Sequence, residues 1–409
     1  MLARMRARMS TPAPQLGHRT LFPQLEARVY LAHAAVSPVS TPVRQAVGAV
    51  LDDYARLGVG GFPPWIAQRQ RLKATLAGLV HCDPADLALV QSTTAGLAAV
   101  AACLDWRAGE RLLLTAGEFP ANVTPWQRAA LQFDLQVAWL PQPLPEDPTI
   151  WLDALARELR VGGVRLVAVS AVQFQTGLRM PLAAAAELCH RHGAELAVDA
   201  VQAFGAVPID VQSPRLDYLA CGAHKWCNSL EGAGFLYVSP LRVARLQPRL
   251  AGWLSHEDGI GFLFRGGGLL RHDRPIRQRA DFLEIGNLAT VSFAALGAAT
   301  DVLAALGVEA IFAHVQPLLD ALESGLGERG FVSLRAADPA HRSCMLCLDP
   351  PPGVDLLALH AGLTAAGIAT SIPDGHLRLA PHWPNALREV PLVLEAVDAV
   401  LAGLAQNSA

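Results

Sequence analysis

The sequence predicts an α/β protein whose mainly parallel β-sheet is sandwiched by helices and followed by a smaller α+β domain. The chain has 409 residues, which is too long for one ordinary hydrophobic core, so two packed domains are expected. Short β-rich segments alternate with helical segments, a pattern typical of a parallel sheet covered on both faces. Hydrophobic residues form 52% of the chain and charged residues 17%, as expected for a large buried sheet.

The larger predicted domain covers residues 30–290 and contains the alternating segments. Its predicted strands are at 87–90, 111–115, 164–170, 194–200, 217–222 and 234–239. Its clearest helices are predicted at 97–104 and 181–192, and the four prolines of 141–148 indicate a rigid surface connection. Ligands of such sheets bind beyond the carboxyl ends of the strands, so residues that follow these strands are the candidates for a site.

The smaller predicted domain covers residues 291–409. Amphipathic patterns predict helices at 291–306, 311–329, 355–366 and 387–405. Short apolar segments predict strands at 331–334, 344–348 and 376–379. The first 29 residues form a separate N-terminal segment, whose leader carries Arg4, Arg6 and Arg8 and is expected to be disordered.

Charge and hydropathy argue against several classes of function. The net charge is −3, so no basic field indicates a nucleic-acid partner. No apolar run reaches transmembrane length, and no apolar stretch typical of a secretory signal follows the leader arginines. We therefore expect a cytoplasmic protein that binds neither nucleic acid nor a membrane.

The cysteines do not predict a disulfide framework or a metal site. The chain has 7 of them, an odd number at long spacings, which argues against paired cysteines. Cys344 and Cys347 form a lone CxxC in an apolar segment. No second pair of cysteines or histidines completes a ligand set, so both are expected to pack in the core.

Lys225 and Asp199 together are the most informative feature of the chain. Asp199 ends an apolar segment, and Lys225 follows another within CGAHKW at 221–226. Chemistry based on pyridoxal phosphate (PLP) needs a lysine for the cofactor aldehyde and a carboxylate that keeps the ring nitrogen protonated. A lone buried carboxylate would be costly, whereas one paired with a pyridinium N–H is satisfied. The pair predicts a PLP enzyme acting on an amino acid, with a helix cap as the alternative role for Asp199.

Thr93 and Thr94 are candidates for binding the cofactor phosphate. They follow the strand at 87–90 and precede the helix at 97–104, and free amides and hydroxyls at a helix N-terminus bind anions. An ordinary N-cap is the alternative. A nucleotide is a further possible ligand, but neither GxxxxGK[ST] nor GxGxxG occurs at this strand–helix junction.

Three more side chains are candidates for contacts with the cofactor. Gln202 lies three residues after Asp199 and is suited to donate to the phenolic oxygen of the ring. His224, beside Lys225, is a candidate for phosphate binding or proton transfer, with a structural role as the alternative. Phe119 offers an aromatic face for stacking on the ring and would otherwise belong to the core.

Arg378 is the candidate for binding a substrate carboxylate. It lies between two leucines in the predicted strand at 376–379, where its guanidinium needs a partner. The planar fork of arginine matches a carboxylate. The alternative is a structural ion pair.

Together these residues resemble the class V aminotransferase family of fold-type I PLP-dependent enzymes. The resemblance runs from YLAHAA at 30–35 to Arg378 and beyond, and the family includes cysteine desulfurases, isopenicillin N epimerase, kynureninase and several C–S lyases. The resemblance implies the following roles: Lys225 as the Schiff-base lysine, Asp199 as the pyridinium partner, Gln202 as the phenolic-oxygen partner, Thr94 and His224 as phosphate ligands, and Arg378 as the carboxylate-binding arginine.

The same resemblance implies contributions from three other positions. EIGN at 284–287 matches the family's Glu-x-Gly-Thr element, whose last residue reaches the phosphate of the neighbouring subunit. Asn287 would take that role, which implies a homodimer with active sites at the interface. Gln173 lies near the position of an asparagine that faces the substrate, and Ala35 is a further candidate substrate contact.

The chain also departs from the family pattern. Cysteine desulfurases carry a nucleophilic cysteine near the carboxylate-binding arginine, but residues 369–382 contain none. They also carry a stacking histidine where this chain has Phe119. Gly222 replaces a hydroxyl residue that contacts the phosphate. The missing cysteine and histidine disfavour a persulfide-forming desulfurase. HKW at 224–226, YLAHAA at 30–35 and EFP at 118–120 look closer to the epimerase-like and C–S lyase branch.

The function expected from these observations is PLP-dependent chemistry at Cα of a small amino acid or amino-acid thioether. Lys225 would act as the base, with Asp199 and His224 as the other catalytic candidates. Transamination and β-elimination are both open outcomes, because one fold serves several reactions. The alternatives are an amino-acid epimerase, a cysteine desulfurase-like enzyme and a catalytically idle binding protein.

Overall fold

The computed structural model describes residues 11–287 and 289–408. The expectation of a disordered leader concerns Arg4, Arg6 and Arg8, which lie outside the described residues. The strands, in chain order, are β1 Val29–Tyr30, β2 Leu87–Val90, β3 Arg111–Thr115, β4 Gln136–Leu140, β5 Val164–Ser170, β6 Glu195–Asp199, β7 Tyr218–Gly222, β8 Gly234–Val238, β9 Val332–Ser333, β10 Leu346–Asp349, β11 Ile368–Ala369 and β12 Leu377–Leu379.

The α-helices lie between these strands and after them. In chain order they are α1 Thr41–Leu57, α2 Phe62–Val80, α3 Thr93–Cys103, α4 Thr124–Phe133, α5 Thr149–Val161, α6 Leu182–Arg191, α7 Pro240–Val243, α8 Gly261–Phe264, α9 Thr290–Leu306, α10 Val308–Gly327, α11 Leu356–Ala365 and α12 Val390–Ser408.

A seven-stranded sheet in the order β2-β8-β7-β6-β5-β3-β4 forms the centre of the protein. Strands β3 to β7 pair in parallel, while β8 runs antiparallel to both β7 and β2. The predicted α/β class with a mainly parallel sheet is therefore confirmed. Every residue of β5, β6 and β7 is buried, because helices cover both faces, and this explains why these strands read as unbroken apolar runs.

The two faces of this sheet pack into two hydrophobic clusters. Successive side chains of a strand point to opposite faces, so Leu113 of β3 lies in one cluster while Leu112 and Leu114 lie in the other. The first cluster continues into the C-terminal part of the chain and includes Leu346 and Leu379. One continuous core therefore connects the central sheet to the elements that carry Arg378.

The C-terminal part contains a three-stranded antiparallel sheet in the order β12-β10-β9. A further parallel pair joins β1 to β11, and Ala32 forms a β-bridge with Ala380. The N-terminal end of the predicted large domain is thus attached to the C-terminal strands. The boundaries predicted at residues 30, 290 and 291 stay a prediction.

Two of the differences between the predicted and the observed elements have clear local causes. The helix predicted at 97–104 begins at Thr93, because the Ser92 side chain accepts a hydrogen bond from the Ala95 amide and caps the helix four residues earlier. Strand β4 was not predicted. It is a short edge strand with an exposed first residue and two half-buried central ones, so it has no strong apolar signal.

Within the described residues, no single helix has both the length and the apolar character needed to cross a membrane. Helices α9 and α10 meet those two criteria only as a pair, and the pair is bent by 74°.

Candidate active site

A cavity of about 450 Å³ lies where residues that follow β2, β3, β5, β6 and β7 converge. Its lining includes all the predicted site residues except Asp199, Gln173 and Asn287. The complete lining is Ala34, Ala35, Ser92, Thr93, Thr94, Phe119, Ala121, Phe174, Val201, Gln202, His224, Lys225, Pro373 and Arg378. A larger cavity of about 640 Å³ lies beside Arg179 and His341 but contains none of the predicted residues.

Lys225 extends into this cavity from the turn that follows β7. Burial lowers the pKa of its amine to about 8, and nearby Arg378 lowers it further, while Asp199 opposes the shift. Its Nζ lies 5.5 Å from the centre of the Phe119 ring. A lysine with this pKa carries a substantial fraction of neutral, nucleophilic amine near neutral pH.

Asp199 ends β6 beside Ser170 of β5 and Ala220 of β7. It is 2% exposed, and burial raises the pKa of its carboxyl group to about 7. One carboxylate oxygen accepts a hydrogen bond from the Val201 amide at 2.9 Å. In the part of the chain that the structure describes, no cation forms an ion pair with Asp199, so a positively charged ring nitrogen would supply the missing partner.

The N-terminus of α3 presents free hydrogen-bond donors to the cavity. Ser92 caps the Ala95 amide, while the amides of Thr93 and Thr94 donate to no acceptor among the described residues. The Thr93 hydroxyl accepts a hydrogen bond from the Gly222 amide at 2.9 Å, which leaves its own proton available to an anion. A Cβ atom at Gly222 would lie 3.3 Å from this hydroxyl, so Thr93 supplies a hydroxyl beside the position where the family pattern has one.

Gln202 and His224 line the cavity together with Lys225. The Gln202 amide accepts a hydrogen bond from the Trp226 indole at 3.1 Å and donates one to the Ala34 carbonyl at 3.0 Å. These two contacts fix its orientation and leave one amide hydrogen for a ligand. Burial, and then the charge of Lys225, lower the pKa of His224, so its neutral imidazole offers one N–H donor.

Arg378 is a buried cation without an acidic partner. It is 4% exposed and donates hydrogen bonds to the Ser371 hydroxyl at 3.0 Å and to the Phe174 carbonyl at 2.9 Å. No salt bridge includes Arg378 within the described residues, which argues against the alternative of a structural ion pair. Burial lowers the pKa of its guanidinium, as expected for a cation without its counter-ion.

The remaining predicted residues take different positions. Ala35 and Phe119 line the cavity, and Phe119 packs edge-to-face against Phe174 at 5.4 Å. Gln173 is buried, and its amide donates to Glu118 at 3.1 Å, outside the lining. Asn287 is exposed and lies outside the cavity of its own chain.

Glu118 is a residue of the site that sequence reasoning did not select. Its carboxylate accepts hydrogen bonds from the Ser170 amide at 2.6 Å and from the Ser170 hydroxyl, and its charge raises the pKa of Asp199. Burial raises the pKa of Glu118 itself. In the sequence it is an ordinary loop acid, and only the convergence of the loops after β3 and β5 brings it to Asp199.

Among the described residues, the cysteines contribute neither to the cavity lining nor to a metal site. No described cysteine lines the cavity, and none of the described residues forms a group suited to hold a metal ion. Cys344 and Cys347 are buried, as expected for core packing, and burial raises the pKa of the Cys347 thiol to about 12. Such a thiol is unreactive at neutral pH.

Comparison with known proteins identifies the family. Residues 29–381 match the family model described as aminotransferase class V. The chain belongs to the class V aminotransferase family. It is 26% identical over 382 residues to the uncharacterized aminotransferase YcbU of Bacillus subtilis, which covers 93% of this chain and 97% of YcbU. It is 29% identical over 339 residues to isopenicillin N epimerase of Streptomyces clavuligerus, covering 80% and 83% of the two chains.

A solved structure shows the same fold. It is a lysine-to-alanine mutant of C-DES with glycine covalently linked to its PLP cofactor, and C-DES is a cystine C–S lyase. The TM-score is 0.83 at 22% identity, with 93% of this chain and 99% of that chain covered. The protein is therefore a PLP-dependent enzyme with the fold-type I architecture.

The residues of this aminotransferase-family enzyme fit PLP. The carboxyl group of Asp199, whose pKa burial raises to about 7 and which forms no ion pair among the described residues, matches a protonated ring nitrogen. The free amides of Thr93 and Thr94 match a phosphate at a helix N-terminus. Lys225, with its lowered pKa, matches the aldehyde. The cofactor contacts of each side chain stay predictions, but the chemistry of the donor set is the one PLP requires.

Proposed function

We propose that the enzyme removes the Cα proton of a small amino acid or amino-acid thioether and completes either a transamination or a β-elimination. The observation that carries this proposal is Arg378, a buried guanidinium without an acidic partner in the cavity that contains Lys225. A substrate carboxylate would satisfy this cation and hold Cα near the lysine amine.

Different side chains would bind different parts of the cofactor and the substrate. Asp199 would hold the ring nitrogen of the cofactor, Thr93 and Thr94 its phosphate, and Gln202 its phenolic oxygen. When bound, PLP supplies an electron sink for the electrons released at Cα. Arg378 is held by Ser371 and the Phe174 carbonyl, so its fork is already oriented when the substrate arrives.

Lys225 would be the group that moves the proton. Lys225 would hold the cofactor aldehyde, and its Nζ, when free, would accept the proton from Cα. Its pKa of about 8 lies close to neutral pH, where a general base is most effective. Asp199, kept ionised by the ring, would stay a positioning and electrostatic group throughout.

A persulfide-forming desulfurase is less well supported. Pro373 and Arg378 place the segment 369–382 at the cavity, and this segment contains no cysteine. The nearby thiols Cys221 and Cys227 are both buried. Sulfur chemistry at this site would therefore proceed by β-elimination, which releases the thiol, ammonia and pyruvate from a cysteine thioether after addition of water.

The test is a two-step assay of the purified, cofactor-loaded enzyme. In D₂O, NMR should show exchange of the Cα proton of an accepted amino acid, lost in Lys225→Ala and retained in Lys73→Arg. Product analysis then separates the outcomes: a new amino acid formed from an added keto acid indicates transamination, and pyruvate with ammonia indicates β-elimination. A product that is only the opposite enantiomer would replace the proposal with epimerisation. A panel of amino acids without any Cα exchange would disprove it.

A further inference from the structure

We infer that the substrate side chain is uncharged and apolar, and that Phe174 sets the upper limit on its length. This inference rests on the proposed Cα chemistry and specifies its substrate class. It comes from the part of the cavity lining that remains after the cofactor and carboxylate groups have been assigned.

The charged groups of the lining all have other roles. Among the described lining residues the ionisable side chains are Lys225, His224 and Arg378, which are assigned to the cofactor and the substrate carboxylate. Glu118 lies nearby, but its carboxylate is occupied by Ser170 and Gln173. A charged substrate side chain would lose its hydration without gaining a partner, and this weakens its binding. The cavity therefore selects against acidic and basic amino acids.

Thr93, Thr94 and Gln202 are assigned to the cofactor, and Ser92 caps α3. The other lining residues are apolar and include two aromatic rings. Phe119 is the ring predicted to stack on the cofactor, and Phe174 packs edge-to-face against it at 5.4 Å. Phe174 belongs to the substrate end of the cavity, because its carbonyl accepts a hydrogen bond from Arg378 at 2.9 Å. A substrate carboxylate on Arg378 therefore brings the substrate side chain next to the Phe174 ring.

Phe174 is a rigid boundary because both of its neighbours are fixed. Gln173 is held by Glu118 and by the Leu178 carbonyl. Gln175 accepts a hydrogen bond from Gln142 at 3.0 Å and donates one to Asp374. The backbone amide of Gln173 and the side chain of Gln175 are thus held on either side of the ring, so the segment resists displacement and added methylenes meet the ring directly.

The experiment measures binding separately from turnover. Calorimetry with the cofactor-loaded enzyme would use α-methyl amino acids, which have no Cα proton to lose, with side chains that grow by one methylene at a time. Wild type should bind short apolar side chains and lose roughly tenfold in affinity per methylene beyond the limit. It should bind acidic and basic side chains of similar length at least about tenfold more weakly. Phe174→Ala should move the limit to longer side chains, and Phe174→Leu should give an intermediate limit.

Phe133→Ala is the matched control. Phe133 ends α4, just before β4 begins. Because α4 runs back from the carboxyl end of β3, this ring lies near the amino ends of the strands, away from the cavity. The control should keep the wild-type limit. Equal loss of affinity for every side chain in Phe174→Ala, or tight binding of charged side chains by wild type, would overturn the inference while leaving Cα chemistry intact. Absence of binding and of Cα exchange for all amino acids would overturn the proposed function as well.

Discussion

At the residue scale, burial is the main cause of the pKa shifts at the site. It lowers the pKa of Lys225 to about 8 and raises that of Asp199 to about 7, because both charged forms lose hydration. The mutual attraction of the two groups opposes both shifts without cancelling them. A cation at the ring nitrogen would restore Asp199 to its ionised form, and reaction with the aldehyde would consume the neutral amine of Lys225.

The sequence could predict three of the candidate residues: Lys225, Asp199 and Arg378. Each follows or interrupts an apolar strand, where a charged side chain is costly to bury unless it has a partner. Glu118 and Phe174 could not be predicted. Both lie in loops with unremarkable sequences, and their importance depends on contacts with Ser170 and Arg378 that exist only after the loops converge. The sequence therefore predicts residues fixed by strand ends better than residues fixed by loop packing.

The lowered pKa of Lys225 predicts how cofactor capture depends on pH. Only the neutral amine reacts with an aldehyde, so the capture rate by apoenzyme should rise through about pH 8 and level off above it. A lysine at the ordinary value of 10.5 would show a rate still rising above pH 9. The measurement is the absorbance change on adding PLP, followed by borohydride reduction and peptide mapping.

Lys73 provides the internal control for that measurement. Lys73 and Lys225 are the only lysines in the sequence, and Lys73 forms a salt bridge with Glu284 at 2.9 Å. Lys73→Arg should keep the labelled peptide, and Lys225→Arg should lose it. Label on the Lys73 peptide of wild type would show that the lysine has been misassigned.

Asp199→Asn should keep the fold and bind PLP but lose most of its activity, by about 100-fold or more. The amide keeps the shape and can still accept the Val201 N–H, but it cannot stabilise a positive charge on the ring. Thermal unfolding and cofactor absorbance check the fold and the binding, and Cα exchange checks the activity. Exchange within a fewfold of wild type would mean that this carboxylate serves only the structure.

At the element scale, the turn between β11 and β12 is fixed over the cavity. Pro373 lines the cavity, and the Gln175 side chain donates a hydrogen bond to Asp374. Asp374 has a φ of 50°, in the left-handed region that costs most residues energy. The sequence indicated that this segment borders the site. It could not indicate its tether, the hydrogen bond from Gln175 to Asp374, because these two residues are far apart in the chain.

Loss of the tether should weaken substrate binding. Asp374→Ala removes the acceptor and keeps the unfavourable φ, and we expect its KM to rise by about tenfold with a smaller change in kcat. Asp374→Gly removes the acceptor but relieves the backbone, which glycine adopts without strain. If the tether matters, both variants raise KM; if strain alone matters, only the alanine variant does. Asp374→Asn, which tolerates this φ and keeps a side-chain oxygen, should stay close to wild type.

At the scale of the whole molecule, one predicted phosphate ligand, Asn287, is not at the cavity of its own chain. Glu284 accepts hydrogen bonds from the Leu89 amide at 3.0 Å and from Lys73, which fixes the segment 284–287 against β2. Asn287 is nevertheless exposed and does not line the cavity of its own chain. The preceding part of the chain, from residue 253 to residue 285, exposes several apolar side chains, namely Trp253, Leu263, Phe264, Leu270 and Ile285. Exposed apolar residues of this kind favour a contact with another chain.

We therefore predict a homodimer in which Asn287 reaches the phosphate site of the partner subunit. An equal mixture of Lys225→Ala and Asn287→Ala chains, unfolded and refolded together, should recover about a quarter of the wild-type activity, because half of the dimers are hybrids with one intact site. The matched control mixes Lys225→Ala with Asp199→Asn, whose lesions lie in the same-chain site, so its hybrids have no intact site. Recovery in both mixtures would show that activity returns for a reason other than a shared site. Recovery in neither would mean that Asn287 acts on the site of its own subunit. A fully active monomer by sedimentation at assay concentration would exclude the shared site altogether.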